Sequence, residues 1–152
     1  MKQKTPEEML ERMAALCARS EQCEYDIRQK LFKAQIAPGE ADRIIARLRE
    51  GRFIDDVRFA RSFASYKVRF SAWGRYKIRM ALAAKRIPAA AISEALEAID
   101  PTDYRDACRR AARAKARGLD LTSRDDRLKL FRHLQSRGFE SDIIRSSLIS
   151  HS

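Results

Sequence analysis

The apolar residues of this chain follow a helical spacing, and their arrangement repeats at a fixed interval. Residues 25–48 contain seven positions that return with similar residue types 51 positions later, in residues 76–99. The first copy comprises Tyr25, Ile27, Arg28, Leu31, Ile36, Ile45 and Leu48. The second copy comprises Tyr76, Ile78, Arg79, Leu82, Ile87, Leu96 and Ile99. An offset that preserves apolar positions indicates that one supersecondary unit is used more than once.

A third, looser copy lies near the C-terminus and contains Leu134, Phe139, Ile144 and Leu148. A unit of this size buries little apolar surface alone, so neighbouring copies are expected to share it. The repeat therefore predicts an elongated, curved array of three units.

Helix start and stop residues divide the chain into nine predicted helices. Thr5-Pro6 with Glu8 forms a capping box, and Pro, Asp and Ser residues give further start signals. The expected starts are Pro6, Ser20, Pro38, Asp55, Arg75, Pro88, Asp100, Ser123 (or Thr122) and a position just after Gly138. No stretch alternates with period two, so no strand is expected. The prediction is an all-α fold of three tandem three-helix repeats, residues 1–51, 52–99 and 100–152.

Four aromatic residues line one face of the fourth predicted helix. Phe59, Phe63, Tyr66 and Phe70 follow one another at helical steps. Such a stripe is typical of core packing, and we expect Tyr66 to be the member that reaches the surface, because its hydroxyl group needs a polar partner.

The chain is strongly basic, with a net charge of +11 and a pI of about 10.1. This balance favours a polyanionic partner, namely nucleic acid, an anionic membrane or an acidic protein surface. Residues 52–86 hold ten Lys or Arg but only two acidic residues, so their basic stripes are expected to lack acidic partners. The candidate binding residues are Arg58, Arg61, Tyr66, Lys67, Arg69, Arg75, Lys77, Arg79, Lys85, Arg86, Arg109, Arg113, Arg132 and Arg137.

The sequence offers no set of catalytic or metal-binding residues. The two histidines, His133 and His151, have no cysteine or carboxylate at metal-ligand spacing, and there is no glycine-rich phosphate loop. The three cysteines form no C-x-x-C pair and are expected to be reduced. We therefore expect no enzyme activity, cofactor or metal. The chain has no apolar run long enough for a membrane span and no signal sequence, which favours a cytoplasmic protein.

Several segments resemble the RecX family of regulators of the RecA recombinase. Gly51–Ala60 is similar to the junction between the first two RecX units, and Phe131–Phe139 resembles the third-unit motif. Gly74, Ile78 and Leu82, followed by Lys85-Arg86-Ile87, match the second-unit motif. Ser20, Tyr25, Arg28 and Leu31 fit the first unit, although Gln35 stands where the family has a basic–glycine turn. No binding residue is assigned to this first unit.

The resemblance implies three tandem three-helix units that bind in the groove of the RecA–DNA filament and inhibit the recombinase and its ATPase. It thereby implies a role in recombination, DNA repair and the SOS response. The expected partners are the RecA nucleoprotein filament and single- and double-stranded DNA, with no membrane contact, and the chain is expected to be a monomer. Two alternatives stay open. One is a free-standing DNA- or RNA-binding protein whose helix pairs imitate a helix-turn-helix. The other is an adaptor for an acidic protein.

Overall fold

The structure, a computed structural model, describes residues 4–149, and this part of the chain is all-helical. It contains nine helices and no strand, as predicted. The helices are α1 (Pro6–Arg19), α2 (Glu24–Lys33), α3 (Pro38–Glu50), α4 (Asp56–Ser71), α5 (Arg75–Ala84), α6 (Ala89–Glu97), α7 (Pro101–Ala116), α8 (Arg124–Ser136) and α9 (Ser141–Ile149).

Four of the nine helix starts in residues 4–149 carry the predicted side-chain caps. The side chains of Thr5, Asp55, Asp100 and Ser123 each accept a hydrogen bond from a backbone N–H in the first turn of the helix that follows. The prediction that Ser20 caps α2 is wrong. Ser20 ends α1, and the Cys23 Sγ atom accepts from the Asp26 N–H group at 3.5 Å instead. Cys23 is fully buried, and α2 begins at the residue that follows it.

The short helix pairs of the three units share one turn geometry, which accounts for the sequence repeat. Each turn contains one residue with positive φ, namely Gln35 (61°), Arg86 (58°) and Gly138 (100°). The residue after it donates its N–H to the carbonyl of the repeated leucine, five residues earlier. These bonds are Ile36 to Leu31 (3.0 Å), Ile87 to Leu82 (3.2 Å) and Phe139 to Leu134 (3.2 Å). This hydrogen bond ends the helix, and the apolar residue that donates it packs near the leucine that accepts it. The repeat of a leucine and an apolar residue five positions later therefore specifies the turn.

Following the predicted division, we call helices α1–α3 unit one, α4–α6 unit two and α7–α9 unit three. Unit one has its own core, which includes Ile27, Leu31, Ile45 and Leu48. Units two and three share a single continuous core. The accessible surface is 9880 Å², against roughly 7,900 Å² for a compact protein of this mass. The predicted helical repeat array is confirmed. Units two and three pack together around one core, whereas most of the core of unit one is separate.

The aromatic stripe on α4 is buried at one end only. Phe59 is 7% exposed and Phe63 is half-buried, but Tyr66 is 57% and Phe70 is 65% exposed. The core face of α4 is instead formed by Ala60, Ala64 and Val68. These small residues let α6 and α7 approach α4 closely, which leaves the larger rings on the flank. The expectation that Phe70 belongs to the core is wrong for this reason.

Two backbone hydrogen bonds form part of the joint between units two and three. The Gly74 N–H donates to the Arg137 carbonyl at 2.8 Å, and the Tyr76 N–H donates to the Gly138 carbonyl at 3.1 Å. The start of α5 therefore lies directly on the turn between α8 and α9.

Tyr104 supports the same joint from α7. Its ring is buried beside Phe139, with a centroid separation of 5.3 Å. Its hydroxyl accepts from the Arg75 N–H at 2.8 Å and donates to the Glu140 carboxylate. Burial, with a further contribution from the Glu140 hydrogen bond, raises the pKa of Tyr104, so the hydroxyl stays protonated and able to donate.

Tyr104→Phe is expected to lower the free energy of unfolding by about 1–3 kcal/mol. The variant keeps the ring but leaves the Arg75 N–H and the Glu140 carboxylate without this partner. Urea denaturation measures the change. Tyr66→Phe is the matched control, since its ring is exposed, and it should alter stability by less than about 0.5 kcal/mol. Equal stability of the two variants would show that the Tyr104 hydroxyl contributes nothing to the joint.

Candidate nucleic-acid interface

Nine of the fourteen predicted binding residues fall into two groups in the structure. The first group, called here the paired cations, is bound by carboxylates or carbonyls of the chain itself. The paired cations are Arg58, Arg61, Arg75, Lys85 and Arg137. The second group, called here the open cations, lies beside aromatic rings of unit two. The open cations are Lys67, Arg69, Lys77 and Arg79.

Two paired cations hold unit one against unit two. Lys85 Nζ lies 2.8 Å from an Asp26 carboxylate oxygen, and Arg58 Nε donates to Glu21 at 2.7 Å. Beside them the Asp56 carboxylate accepts from the Glu24 N–H at 3.0 Å. Burial raises the pKa of Asp56, although this hydrogen bond opposes the shift. These polar contacts lie beside an apolar one, since the buried Cys23 of unit one belongs to the core of units two and three.

Two further paired cations hold unit two against unit three. Arg75 lies 2.7 Å from Glu140, and its guanidinium carbon lies 4.0 Å from the centroid of the Tyr104 ring. Arg137 donates from Nε to the Ala72 carbonyl at 3.0 Å and from a terminal nitrogen to the Ser71 carbonyl. Arg137 therefore satisfies carbonyls that the end of α4 leaves free.

The prediction that residues 52–86 lack acidic partners is wrong at four positions. Arg58, Arg61, Arg75 and Lys85 pair with Glu21, Glu94, Glu140 and Asp26, respectively. Each of these acidic residues lies more than thirty positions away in sequence, so a local count of charges misses it. Only Arg61 joins two helices of the same unit. A binding role for the paired cations stays a prediction, and their side chains already hold the array together.

The open cations have aromatic rings as their near neighbours. Lys67 and Lys77 place their Nζ atoms 4.5 Å and 4.7 Å from the centroid of the Trp73 ring. Arg69 lies 5.3 Å from the Phe70 ring, and Arg79 lies 5.8 Å from the Tyr76 ring. Within residues 4–149, no carboxylate lies within ion-pair distance of any of the four.

Of the rings beside these cations, Phe70 and Tyr76 are largely exposed, whereas Trp73 is partly buried against the core. Tyr66 and Tyr76 are each 57% exposed, and Phe70 is 65% exposed. Tyr66 and Phe70 pack against each other with a centroid distance of 4.9 Å. We call this set of neighbouring rings and cations on α4, α5 and the turn between them the aromatic–cationic face; its members are Tyr66, Lys67, Arg69, Phe70, Trp73, Tyr76, Lys77 and Arg79. Sequence reasoning missed Phe70, Trp73 and Tyr76. For Phe70, the signal that could have found it is the Ala60-Ala64-Val68 ladder, which already supplies the core face of α4.

Comparison with known proteins places this surface within a described domain. A family model of the second three-helix domain of RecX matches residues 55–96, and a model of the third matches residues 102–148. Together the two models cover more than half of the chain. The chain belongs to the RecX family.

Named relatives and solved structures agree with this assignment. Regulatory protein RecX of Prosthecochloris aestuarii is 33% identical over 128 residues, which is 84% of this chain and 83% of the relative. Regulatory protein RecX of Chlorobaculum tepidum is 33% identical over 123 residues, which is 81% and 75%. A crystal structure of RecX from Lactobacillus salivarius, 20% identical, has a TM-score of 0.81 and covers 95% of both chains. A second RecX crystal structure, 23% identical, has a TM-score of 0.83 and covers 97% of this chain and 73% of its own.

The remaining candidate residues of this RecX-family chain lie apart from the ring pairs of α4. Arg86 occupies the positive-φ turn position and lies 5.6 Å from the Tyr25 ring. Arg113 and Arg132 are exposed on α7 and α8, whereas Arg109 is half-buried. The Arg109 Nε atom is buried without a hydrogen-bond partner in the described structure. No contact found in residues 4–149 joins these side chains to the aromatic–cationic face.

The titratable groups of this RecX-family chain form no reactive cluster in the described residues. Cys23 and Cys108 are buried, and burial raises the pKa of the Cys23 thiol to about 11, which keeps it protonated and unreactive. Burial and the nearby Lys115 lower the pKa of His133, whereas His151 lies outside the described residues. Residues 4–149 contain no group of three potential metal ligands. Within the same range, every helix is too short or too polar to cross a membrane.

Proposed function

We propose that this chain binds the RecA nucleoprotein filament and inhibits recombinase and ATPase activity. The observation that carries the proposal is the aromatic–cationic face, which lies inside the segment matching the second RecX domain. Its four cations have no carboxylate partner in the described part of the chain, so they are available to phosphates or to acidic groups of a filament. A DNA-bound partner also fits the predicted cytoplasmic location.

The proposed mechanism requires that the three units keep fixed positions relative to one another. Shared apolar core and backbone hydrogen bonds fix unit three on unit two, and ion pairs hold unit one against unit two. A single chain lying along the filament would contact more than one RecA protomer. Contacts on adjacent protomers would oppose the rearrangement that accompanies ATP hydrolysis, and the cations would hold the chain on the DNA phosphates.

The first alternative, a free-standing nonspecific DNA- or RNA-binding protein, uses the same face. Cations that contact phosphates give binding that is indifferent to sequence and falls steeply with salt. The exposed rings and cations include no Asn or Gln side chain of the kind that reads base edges, which argues against sequence-specific duplex recognition. The second alternative, an adaptor for an acidic protein, would bind independently of DNA.

Titration of the RecA DNA-dependent ATPase separates these functions. We expect suppression at substoichiometric or near-stoichiometric amounts of this protein, with much weaker effects on an unrelated DNA-dependent ATPase acting on the same DNA. Equal suppression of both enzymes would favour the nonspecific alternative, because coating the DNA affects any enzyme that needs it. No suppression of either would contradict the proposal.

A further inference from the structure

We propose that the Tyr66–Phe70 ring pair is a stacking platform for the unpaired bases of single-stranded DNA. The proposal gives a ligand class to the aromatic–cationic face and rests on the proposed function only for its biological role. Binding itself follows from the surface of this chain and needs no RecA.

The ring pair has the exposure and arrangement that stacking requires. Tyr66 and Phe70 lie one helical turn apart on α4, with centroids 4.9 Å apart and an interplanar angle of 43°. Both rings are more than half exposed although they lie beside a helix face that packs in the core. Exposure of an aromatic ring to water is unfavourable, and a base stacked on the ring removes that ring surface from water. Base stacking on aromatic side chains accepts any base, since every base has a π-face.

One cation contacts the ring pair, and two more lie beside the neighbouring Trp73 ring. Arg69 lies 5.3 Å from the Phe70 ring, and Lys67 follows Tyr66 directly on α4. The ammonium groups of Lys67 and Lys77 lie 4.5 Å and 4.7 Å from the centroid of the Trp73 ring. Two cations beside one ring repel each other, and an anion bound near them offsets that repulsion. A phosphate backbone supplies such anions in a row.

The combination of rings and unpaired cations favours single strands over other ligands. Bases in a duplex are already stacked and cannot lie flat on a side chain, so the rings would gain nothing from double-stranded DNA. An acidic peptide would satisfy the cations but offers no flat partners for both rings. A single strand satisfies both sets of groups at once.

The test compares two oligomers that carry the same charge but differ in bases. Oligothymidylate and an abasic oligomer of equal length are titrated into the full chain without RecA. Fluorescence anisotropy of labelled oligomers gives the affinity. Trp73, the only tryptophan in the sequence, reports on the face through its emission. We expect oligothymidylate to bind about tenfold more tightly or better, and to change the Trp73 emission more strongly than the abasic oligomer does.

Variants assign the difference to the ring pair. The double variant Tyr66→Ala/Phe70→Ala should bind oligothymidylate only as well as the abasic oligomer, with its affinity for the abasic oligomer unchanged. Arg69→Gln should weaken binding of both oligomers. Phe32→Ala is the matched control, since Phe32 is 79% exposed on unit one and contacts no ring or cation in the described structure, and it should bind both oligomers like the parent chain.

Three results would overturn the stacking proposal. They are equal parent affinity for both oligomers, an equal loss in Phe32→Ala, and polyglutamate binding that matches oligothymidylate and depends on the two rings. The last result would assign the face to an acidic protein. Because RecA is absent from this assay, base-dependent binding combined with failure to inhibit RecA would refute the proposed function alone. RecA inhibition with no base dependence would refute the stacking platform alone.

Discussion

Gly74→Ala is expected to destabilise the protein by about 3 kcal/mol, because no space exists for a side chain at this position. A Cβ atom on Gly74 would lie 2.1 Å from the Gly138 carbonyl carbon and 2.3 Å from the Phe139 nitrogen. Both are backbone atoms, which cannot rotate away as the end of a long side chain can. Relief requires separating α5 from the turn between α8 and α9, which breaks the two backbone hydrogen bonds of the joint.

Urea denaturation of the parent chain and two glycine variants measures this effect. Gly39→Ala is the matched control, because a Cβ atom there meets nothing within 4 Å and the residue lies in the first turn of α3. It should raise the free energy of unfolding by about 0.5–1 kcal/mol, as alanine is the better helix former. A Gly74→Ala variant as stable as the parent would contradict the close approach of units two and three.

Charge reversal should separate the open cations from the paired cations. The triple variant Arg69→Glu/Lys77→Glu/Arg79→Glu is expected to weaken DNA binding at low salt about hundredfold. The slope of log affinity against log salt concentration should become shallower by roughly 0.9 for each DNA phosphate that the variant no longer neutralises. Its unfolding free energy should change little, since exposed charges contribute within about 0.5 kcal/mol each and ring contacts at the surface about as much.

The double variant Arg75→Glu/Lys85→Glu should behave in the opposite way. Each new carboxylate would face an existing one, Glu140 or Asp26, in a partly buried joint. We expect each reversal to cost about 2–3 kcal/mol, so that thermal unfolding shifts downward strongly. Melting followed by circular dichroism and DNA binding followed by anisotropy test both variants. The division into open cations that bind DNA and paired cations that stabilise the fold would be contradicted by either of two results. One is a double variant that melts like the parent and loses binding, and the other is a triple variant that unfolds.

The helices and their order could be predicted because the signals are local. A cap such as Asp55 acts on residues within one turn, and the leucine repeat acts across a single turn, so both are legible in a short window of sequence. The predicted cap at Ser20 is wrong because the cap of α2 is Cys23, three residues later. Cysteine caps helices less often than serine, but here Cys23 is buried directly before α2.

The site could be predicted only in part, because its features depend on distant residues. The sequence identified unit two as the basic unit, but Arg75 finds Glu140 across 65 positions, and no charge count over a local segment detects that pair. The exposure of Phe70 depends on Ala60 and Ala64 admitting α6 and α7 to the other face of α4. In the sequence Gly74 only precedes the expected helix start at Arg75, and its close approach to Gly138 is visible only in the fold.

RecA ATPase activity on preformed filaments tests the proposed function most directly. The chain is added after filament assembly, at a salt concentration where its own binding to DNA is negligible, and ATP hydrolysis is followed over time. Contact with RecA predicts that inhibition persists under these conditions and weakens in the Arg69→Glu/Lys77→Glu/Arg79→Glu variant. Inhibition that disappears in step with DNA binding as salt rises would contradict the account and show that the chain acts by coating DNA.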